Sequence, residues 1–525
     1  MRKIGQYRLI ILVAIFFVIF DNVSFFKNTI KVYSLGSENI AFLFSLAVLL
    51  VSFIVFLFSL LSSKYTTKPI LIFALIASSF ANYFMNTYHV VIDSGMLQNA
   101  LQTDMKESLD LFSLKMVAYI FFLGLLPSYF VYSVKIEYGS FKSELIARAK
   151  TALISLGIIV IVLFSFSKFY TSFFREHKPL RFYTNPTYWI YSLGKHIGNT
   201  FSSIDSEVKV IGLDASIIKK DGRKRKIVIM VVGEAVRADR FSLNGYERET
   251  NPLLKNENIT NFTNLYSCGT STAVSVPCMF SKYNKNNFSY KKGLLTENVV
   301  DVLEHSGGVK VLWRDNNSDS KAVALRVDFE NYRTNEKNTM CDDECRDEGM
   351  LVGLDSYIKE HSQKDILIIL HQMGNHGPAY YKRYPKGFEK FTPVCETNQL
   401  EECTVDEISN AYDNAILYTD YFLSKTIEFL KPYSIDNETR MIYMSDHGES
   451  LGENGLYLHC LPYFMSPDSQ THVGALMWSG ESESENIKIK YTHDNLFHTL
   501  LGIYDVNTTL YDKSKDILNA QSTKI

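Results

Sequence analysis

A bundle of five transmembrane helices followed by a soluble α/β domain with a mostly parallel central sheet is the fold class this sequence predicts. Three observations predict it. Apolar residues crowd the first third of the 525-residue chain, short apolar runs after residue 226 each end in polar or charged residues, and all seven cysteines lie after residue 260. At that length one ordinary domain is excluded. The net charge of −2 offers no basic surface, so nucleic acid is not expected as a partner.

Five stretches are apolar over the roughly 20 helical residues that a bilayer crossing requires. They are 8–28, 40–62, 69–87, 111–133 and 151–169. The first follows Arg2, Lys3 and Arg8, as a signal peptide would, but it lacks a clear small-residue cleavage site and four more spans follow it, so it reads as retained. Basic residues set the orientation. Arg2, Lys3 and Arg8, then Lys64 and Lys68, then Lys135, Lys142, Arg148 and Lys150 fall on one side, which is therefore cytoplasmic. The opposite loops hold chiefly Lys27, Lys31 and Lys106. Five crossings place everything after residue 170 outside.

The cysteines agree with that topology. They fall in close pairs, Cys268/Cys278, Cys341/Cys345 and Cys395/Cys403, with Cys460 left over, and no pair has the CxxC…CxxC spacing of a structural zinc site. Such pairs suggest disulfides in an oxidising compartment; reduced thiols of a cytosolic enzyme are the alternative. In the outer loop near 88–110, Asn99, Thr103 and Glu107 recur four apart, which stacks them on one face of a helix. At a membrane surface that face could hold a lipid head group, the carboxylate taking an amine; a solvated helix face is the alternative. From Phe164 to His196, aromatic rings alternate with Lys168, Arg175, Lys178 and Arg181, which suits a connector lying on the membrane. The expected division is a membrane domain over 1–170, a connector over 171–204 and a soluble domain over 205–525.

Within the soluble part, Ile227 to Val232 runs into Gly233 and Glu234, and Val309 to Trp313 runs into Arg314-Asp315-Asn316-Asn317. Ile366 to Leu370 runs into His371, with Asn375-His376-Gly377-Pro378 close behind, and Met441 to Met444 runs into Ser445-Asp446-His447-Gly448-Glu449-Ser450. Short apolar runs bounded by turn signals read as buried strands, and the pattern Ser409 to Leu430 reads as a helix between two of them. Ligands in such sheets gather at the carboxyl ends of the strands, where these polar residues collect.

The chemistry implied there is a metal site. Glu234, Asp446 and His447 supply two carboxylates and an imidazole, a set that suits zinc or manganese. A hydroxyl from Thr272 would complete four ligands. Thr272 stands in Ser267-Cys268-Gly269-Thr270-Ser271-Thr272-Ala273-Val274-Ser275-Val276-Pro277-Cys278, a hydroxyl-rich run bracketed by cysteines that could start a helix. A divalent cation would turn that threonine into an activated nucleophile; a Ser/Thr-rich surface loop is the plainer reading. His376 and His459 could assist the entering or leaving oxygen or hold a second metal, and Lys321 could neutralise a phosphate.

With these segments in view the sequence resembles the lipid A phosphoethanolamine transferases, which include the colistin-resistance transferases and belong to the alkaline phosphatase and sulfatase superfamily. The resemblance covers essentially the whole chain. It rests on Gly233-Glu234-Ala235-Val236-Arg237-Ala238-Asp239-Arg240, the Cys268 to Cys278 loop, Arg314 to Lys321, Asn375-His376-Gly377-Pro378, Ser445 to Ser450 and Tyr457-Leu458-His459. It implies a soluble domain of alkaline phosphatase/sulfatase type in the periplasm of an inner-membrane protein. It implies that Thr272 carries phosphoethanolamine covalently, that zinc is bound by Glu234, Thr272, Asp446 and His447, and that a second zinc could sit near His376 and His459. Substrate contacts would map onto Asn99, Thr103, Glu107, Ser318, Lys321, His376 and His459, and the three cysteine pairs would be disulfides. The implied donor is phosphatidylethanolamine, the acceptor lipid A, the surroundings membrane lipids, the state a monomer and the outcome resistance to polymyxin and other cationic peptides. Related phosphatases, sulfatases or glycerophosphate transferases, and transfer to core sugars or another periplasmic glycan or protein, are the alternatives. Two features depart from the family pattern: Cys341 and Cys345 are unusually close, and Cys460 follows His459 where a small residue is usual.

Overall fold

The computed structural model describes residues 3–525 except 103–107, 109, 202–206, 219–221, 481–483 and 523–525, and gives no side chains for 199–201 and 520–522. The chain forms two compact units, Met1–Leu97 with Phe112–Ile197, and Gln98–Leu111 with Gly198–Ile525. The short segment Gln98–Leu111 thus packs with the second unit although its neighbours in sequence belong to the first.

In the first unit, α1 (Gln6–Phe20) and α2 (Val23–Val32) meet at a 55° bend, and α3 (Ser37–Leu61), α4 (Thr67–Thr87), α6 (Leu114–Ser133) and α7 (Phe141–Ser165) are each long and apolar enough to cross a membrane; α5 is the shorter Ser94–Gln102. The stretch expected as a span over 8–28 is therefore two helices that pass together as one bent span. The break falls at Asp21 and Asn22, where the helix ends with Asp21 N donating to Phe17 O at 2.9 Å and the Asn22 side chain donates to the same carbonyl at 2.9 Å. The fifth span also differs from the expected 151–169. It begins ten residues earlier, where Ser140 caps the helix by accepting from Ser143 N at 3.3 Å, and it takes in Lys142, Arg148 and Lys150. Inside α6 a π-helical stretch, Ile120–Leu125, precedes Pro127, which has no N–H to give the ladder. Beyond α7 come α8 (Ser167–Arg175), a 3₁₀ turn over Lys178–Tyr183 and α9 (Thr187–Phe201).

The second unit is built on an eight-stranded sheet. In chain order its strands are β1 (Lys226–Gly233), β2 (Ile259–Phe262), β3 (Val309–Asp315), β4 (Asp328–Asn331), β5 (Asp365–His371), β6 (Glu438–Ser445), β7 (Ala475–Ser479) and β8 (Glu485–Ile487). Their spatial order is β8-β2-β7-β6-β1-β5-β3-β4. Only β7 pairs antiparallel to its neighbours, β6 and β2; the other pairings are parallel. Strand β1 is buried along its whole length, and its alternation explains why. Val228, Met230 and Val232 enter one core with Val311, Trp313 and Ile369, while Ile227, Ile229 and Val231 enter the other with Ile366, Ile368 and Leu370. Helix α12 (Val405–Leu430) covers the second face through Ile408, Ala411, Tyr412, Ile416 and Ile427. It starts four residues before the expected Ser409 because Thr404 and Glu407 form a capping box: Thr404 Oγ1 accepts from Glu407 N and Glu407 Oε2 accepts from Thr404 N at 2.8 Å. Two shorter helices matter below, α10 (Thr272–Met279) and α11 (Val299–His305).

The register sets the site. Ser445 lies opposite Gly233, His371 opposite Val232, and Asp315 opposite His371. Four parallel strands therefore end together, and the residues just beyond them face one cleft.

Candidate active site

Glu234 and Asp446 each follow directly on the last residue of a strand, β1 and β6. Asp446 N donates to Gly233 O at 2.9 Å, which continues the ladder one step and holds the two carboxylates together. Ala235 then takes the left-handed backbone (φ +57) and turns its N–H to Asp446 Oδ1 at 3.1 Å. His447 leaves β6 through Gly448, where a Cβ would run into Ser469 O. This turn lets the adjacent Asp446 and His447 point into one place, which a regular strand forbids. Lys321, Leu458 and Cys460 are also left-handed, with φ of +48, +61 and +72. Such conformations cost about 1–3 kcal/mol each where they are strained and gather at functional sites.

Thr272 opens α10, with Ser271 as its N-cap. Its hydroxyl donates to Glu234 Oε2 at 3.0 Å and lies 3.2 Å from His447 Nε2. All four residues are buried; Thr272 keeps 4% exposure and Glu234, Asp446 and His447 none. Glu234 Oε1 and Asp446 Oδ2 have no hydrogen-bond partner and stand 3.3 and 3.5 Å from His447 Nε2. Ligand atoms of Glu234, Asp446 and His447 lie within 4.8 Å of one another. Two orphaned carboxylate oxygens beside an imidazole, in a site closed to water, fit a divalent cation. The charges say the same. Desolvation together with the Glu234 carboxylate pushes Asp446 up to about 6, and against desolvation the Asp446 and Glu234 carboxylates lift His447 to about 10. A cation would take the place of the proton they hold.

The other expected residues are distributed around this centre. Asn317 donates to Glu234 Oε2 at 2.9 Å; Ser318 Oγ donates to Asn317 Oδ1 at 3.0 Å; Lys321 Nζ donates to Ser318 Oγ at 2.5 Å. Ser318 and Lys321 are thereby wired to the cluster through Asn317. The rings of His447 and His459 are 4.2 Å apart, and those of His459 and His376 are 6.3 Å apart. Glu449, fully buried, holds His459 Nδ1 at 3.3 Å through both its oxygens, and His376 Nδ1 bonds Gly377 O at 2.9 Å. Asn99 is half-buried on α5; Thr103 and Glu107 lie outside the described residues. The sulfurs of Cys268 and Cys278, Cys341 and Cys345, and Cys395 and Cys403 are joined, and Cys460 is buried and outside these three disulfides.

Residues 226–506 match the family described as Sulfatase, and residues 50–201 match the one described as Phosphoethanolamine transferase EptA/EptB. The chain is 44% identical to the phosphatidylethanolamine transferase Mcr-2 of Escherichia coli over 520 residues, 96% of each chain. It is 36% identical to the phosphoethanolamine transferase EptA of Escherichia coli K12, over 97% of this chain and 96% of that one. Its fold superposes on the integral membrane protein lipooligosaccharide phosphoethanolamine transferase A of Neisseria meningitidis with a TM-score of 0.92, at 32% identity over 99% of both chains. The chain belongs to the phosphoethanolamine transferase family.

Some of the transferase's site residues carry no signal that sequence reasoning can use alone. Asn317 sits in the Arg314 to Lys321 turn and Glu449 in the Ser445 to Ser450 motif, so each was visible as a neighbour of chemistry rather than as part of it. Beneath the site Asp315 Oδ2 accepts from His371 Nδ1 at 2.8 Å and from Trp313 Nε1 at 2.8 Å, while Asp315 Oδ1 accepts from Asn317 N at 3.0 Å. This buried node holds the turn that delivers Asn317.

His493 is the other unannounced residue. It accepts from Cys268 N through Nδ1 at 3.1 Å and bonds Ser445 O through Nε2 at 3.0 Å, so it ties the Thr272 loop to the end of β6. Burial drives it down to about 3 from 6.5. Because the folded value is the lower one, its stabilising effect is complete above pH 6.5 and is lost as the pH falls through 6.5 towards 3. The slope is about 1.4 kcal/mol per pH unit. Thermal unfolding of the full-length protein is expected to show a fall in Tm below pH 6.5 that His493→Gln flattens; parallel profiles for the two proteins would contradict this.

Proposed function

We propose that the transferase moves phosphoethanolamine from phosphatidylethanolamine to lipid A through a covalent intermediate on Thr272. The observation that carries this reading is the Thr272 hydroxyl, buried at a helix start and hydrogen-bonded to Glu234 while touching His447. The names of its relatives support the two substrates: one is called a phosphatidylethanolamine transferase and another a lipooligosaccharide phosphoethanolamine transferase. The apolar helices and the cysteine-bearing second unit fit an inner-membrane protein with its catalytic domain in the periplasm and the 171–204 segment as a connector at the membrane surface.

In the first step Thr272 Oγ1 attacks the donor phosphorus, the bond to the diacylglycerol oxygen breaks, and the hydroxyl proton passes to Glu234 Oε2, its hydrogen-bond acceptor. The departing oxygen takes a proton from His459. With Nδ1 engaged by Glu449, that proton is the one on Nε2. In the second step a hydroxyl of the acceptor attacks the phosphothreonine phosphorus and gives its proton to His459, the bond from phosphorus to Thr272 Oγ1 breaks, and Thr272 recovers its proton from Glu234. Ser318, Lys321 and His376 hold the phosphoryl oxygens, and Asn99, Thr103 and Glu107 receive the head group, with Glu107 on the amine. A zinc ion held by Glu234, Thr272, Asp446 and His447 would lower the threonine's pKa and offset charge on the phosphoryl oxygen, and His376 and His459 could hold a second. The transferase acts as a monomer in this reading. The modified lipid A carries less negative charge and binds polymyxin less.

Full-length protein in vesicles of head-group-labelled phosphatidylethanolamine tests the reading. Label is expected on added lipid A, with diacylglycerol formed in equal amount. Label released only to water would make the protein a phosphodiesterase, and transfer only to other glycans would move the acceptor.

A further inference from the structure

Segment Gln98–Leu111 carries Asn99 and, in sequence, Thr103 and Glu107, and it is fastened to the second unit at both ends. At one end Gln98 Nε2 donates to Ala273 O, beside Thr272, at 3.4 Å; Gln102 Nε2 donates to Tyr290 Oη at 2.7 Å, and Lys321 Nζ reaches Gln102 O at 3.5 Å. At the other end stands Asp110. Its carboxylate accepts from Lys382 Nζ at 2.5 Å and from Arg383 Nη2 at 2.8 Å, and its carbonyl accepts from the Asn398 side chain.

Arg383 is 4% exposed and does more than pair with Asp110. Its Nε donates to His376 O at 2.6 Å, and its Nη1 pairs with Glu344. Glu344 lies inside the loop closed by Cys341 and Cys345, and Asn398 inside the loop closed by Cys395 and Cys403. Arg346, next to the first loop, donates to Lys382 O at 2.7 Å. Two disulfide-closed loops thus back one ionic node. A guanidinium is rigid and planar, so one Arg383 plane fixes the Asp110 carboxylate and the His376 carbonyl relative to each other. Although desolvation opposes it, the Arg383 and Lys382 cations hold Asp110 below the usual carboxylate range. A buried cation between two carboxylates is costly to disturb on one side only.

We propose that Asp110 and Arg383 are positioning residues for the lipid donor: their pair fixes the Asp110 end of this segment against the His376 carbonyl, and so where the head group lies relative to Thr272 Oγ1. This rests on the donor reading given above. Neither residue touches the reacting atoms. Their effect is on placement, and misplacing a bound group by about 1 Å costs on the order of a hundredfold at worst.

The experiment uses full-length protein in vesicles of graded phosphatidylethanolamine content, with Asp110→Asn, Asp110→Glu and Glu107→Ala. Asp110→Asn is expected to lower kcat at saturating phosphatidylethanolamine about tenfold with the donor KM changed by less than that, and Asp110→Glu to restore most of it. If Asp110→Asn does not accumulate, Lys382→Met, which removes one tie to Asp110, is read in the same way. A kcat within about twofold of the parent, or a loss confined to the folded fraction or to the donor KM, overturns the proposal. Glu107→Ala separates the two ideas: an unchanged donor KM there sinks the head-group reading, while the Asp110 result still reports on the clamp.

Discussion

Thr272→Ala is expected to abolish phosphoethanolamine transfer, by at least about 10⁴-fold in kcat, while leaving the fold and the carboxylate cluster in place. The side chain lost is small and sits at the first position of α10, where alanine is a good helix former, so little stability is at stake. What disappears is the one hydroxyl within hydrogen-bond reach of both Glu234 and His447 among the described residues. Thr272→Ser is expected to keep activity within about a hundredfold, because the oxygen remains and only the rotamer restraint of the β-branched side chain is lost. Transfer assays on folded, metal-loaded protein check both. Activity of Thr272→Ala within tenfold of the parent would remove the threonine from the chemistry.

Removing the cation proposed for the Glu234, Asp446 and His447 cluster should have the second-largest effect. Glu234 Oε1 and Asp446 Oδ2 are buried and unpartnered, and His447 is held protonated by them up to about 10. Without a cation two carboxylates share a dry cavity with one imidazolium, which is a poor match in charge. A cation bound at a thousand times its Kd adds about 4 kcal/mol to stability. Treatment with a chelator is therefore expected to lower the Tm by several degrees and to stop transfer, with zinc restoring both. Asp446→Asn is expected to hold less than one equivalent of zinc by elemental analysis. A Tm and a transfer rate that chelation leaves untouched would show that the cluster does not depend on a cation.

Much of the architecture was legible because it rests on local pattern. The runs ending at Val232, Trp313, Leu370 and Met444 are apolar on both faces, as strands buried in a parallel sheet must be, and each does end at the cleft. The Asp446-His447-Gly448 turn could be foreseen, since only a turn lets adjacent residues share a ligand. What was not legible was set by pairing across the chain. The bend at Asp21 and Asn22 lies where the Asn22 side chain adds a second donor to the last helical carbonyl, inside a run that hydropathy reads as continuous. The early start of α12 was encoded in Thr404 and Glu407, a local signal outweighed by the apolar pattern that begins later. Asp315, His371, Asn317 and His493 acquire their parts only when strands distant in sequence align, and no spacing announces that. The grouping of Gln98–Leu111 with the second unit is of the same kind: Asp110 finds Lys382 and Arg383 across more than 270 residues.

The most direct measurement is to incubate the full-length protein with phosphatidylethanolamine in the absence of acceptor, quench it, and map modified peptides by mass spectrometry. A phosphoethanolamine adduct on Thr272, lost when lipid A is added and absent from Thr272→Ala, is the predicted result. An adduct on another residue, or turnover with every peptide unmodified throughout, would contradict it.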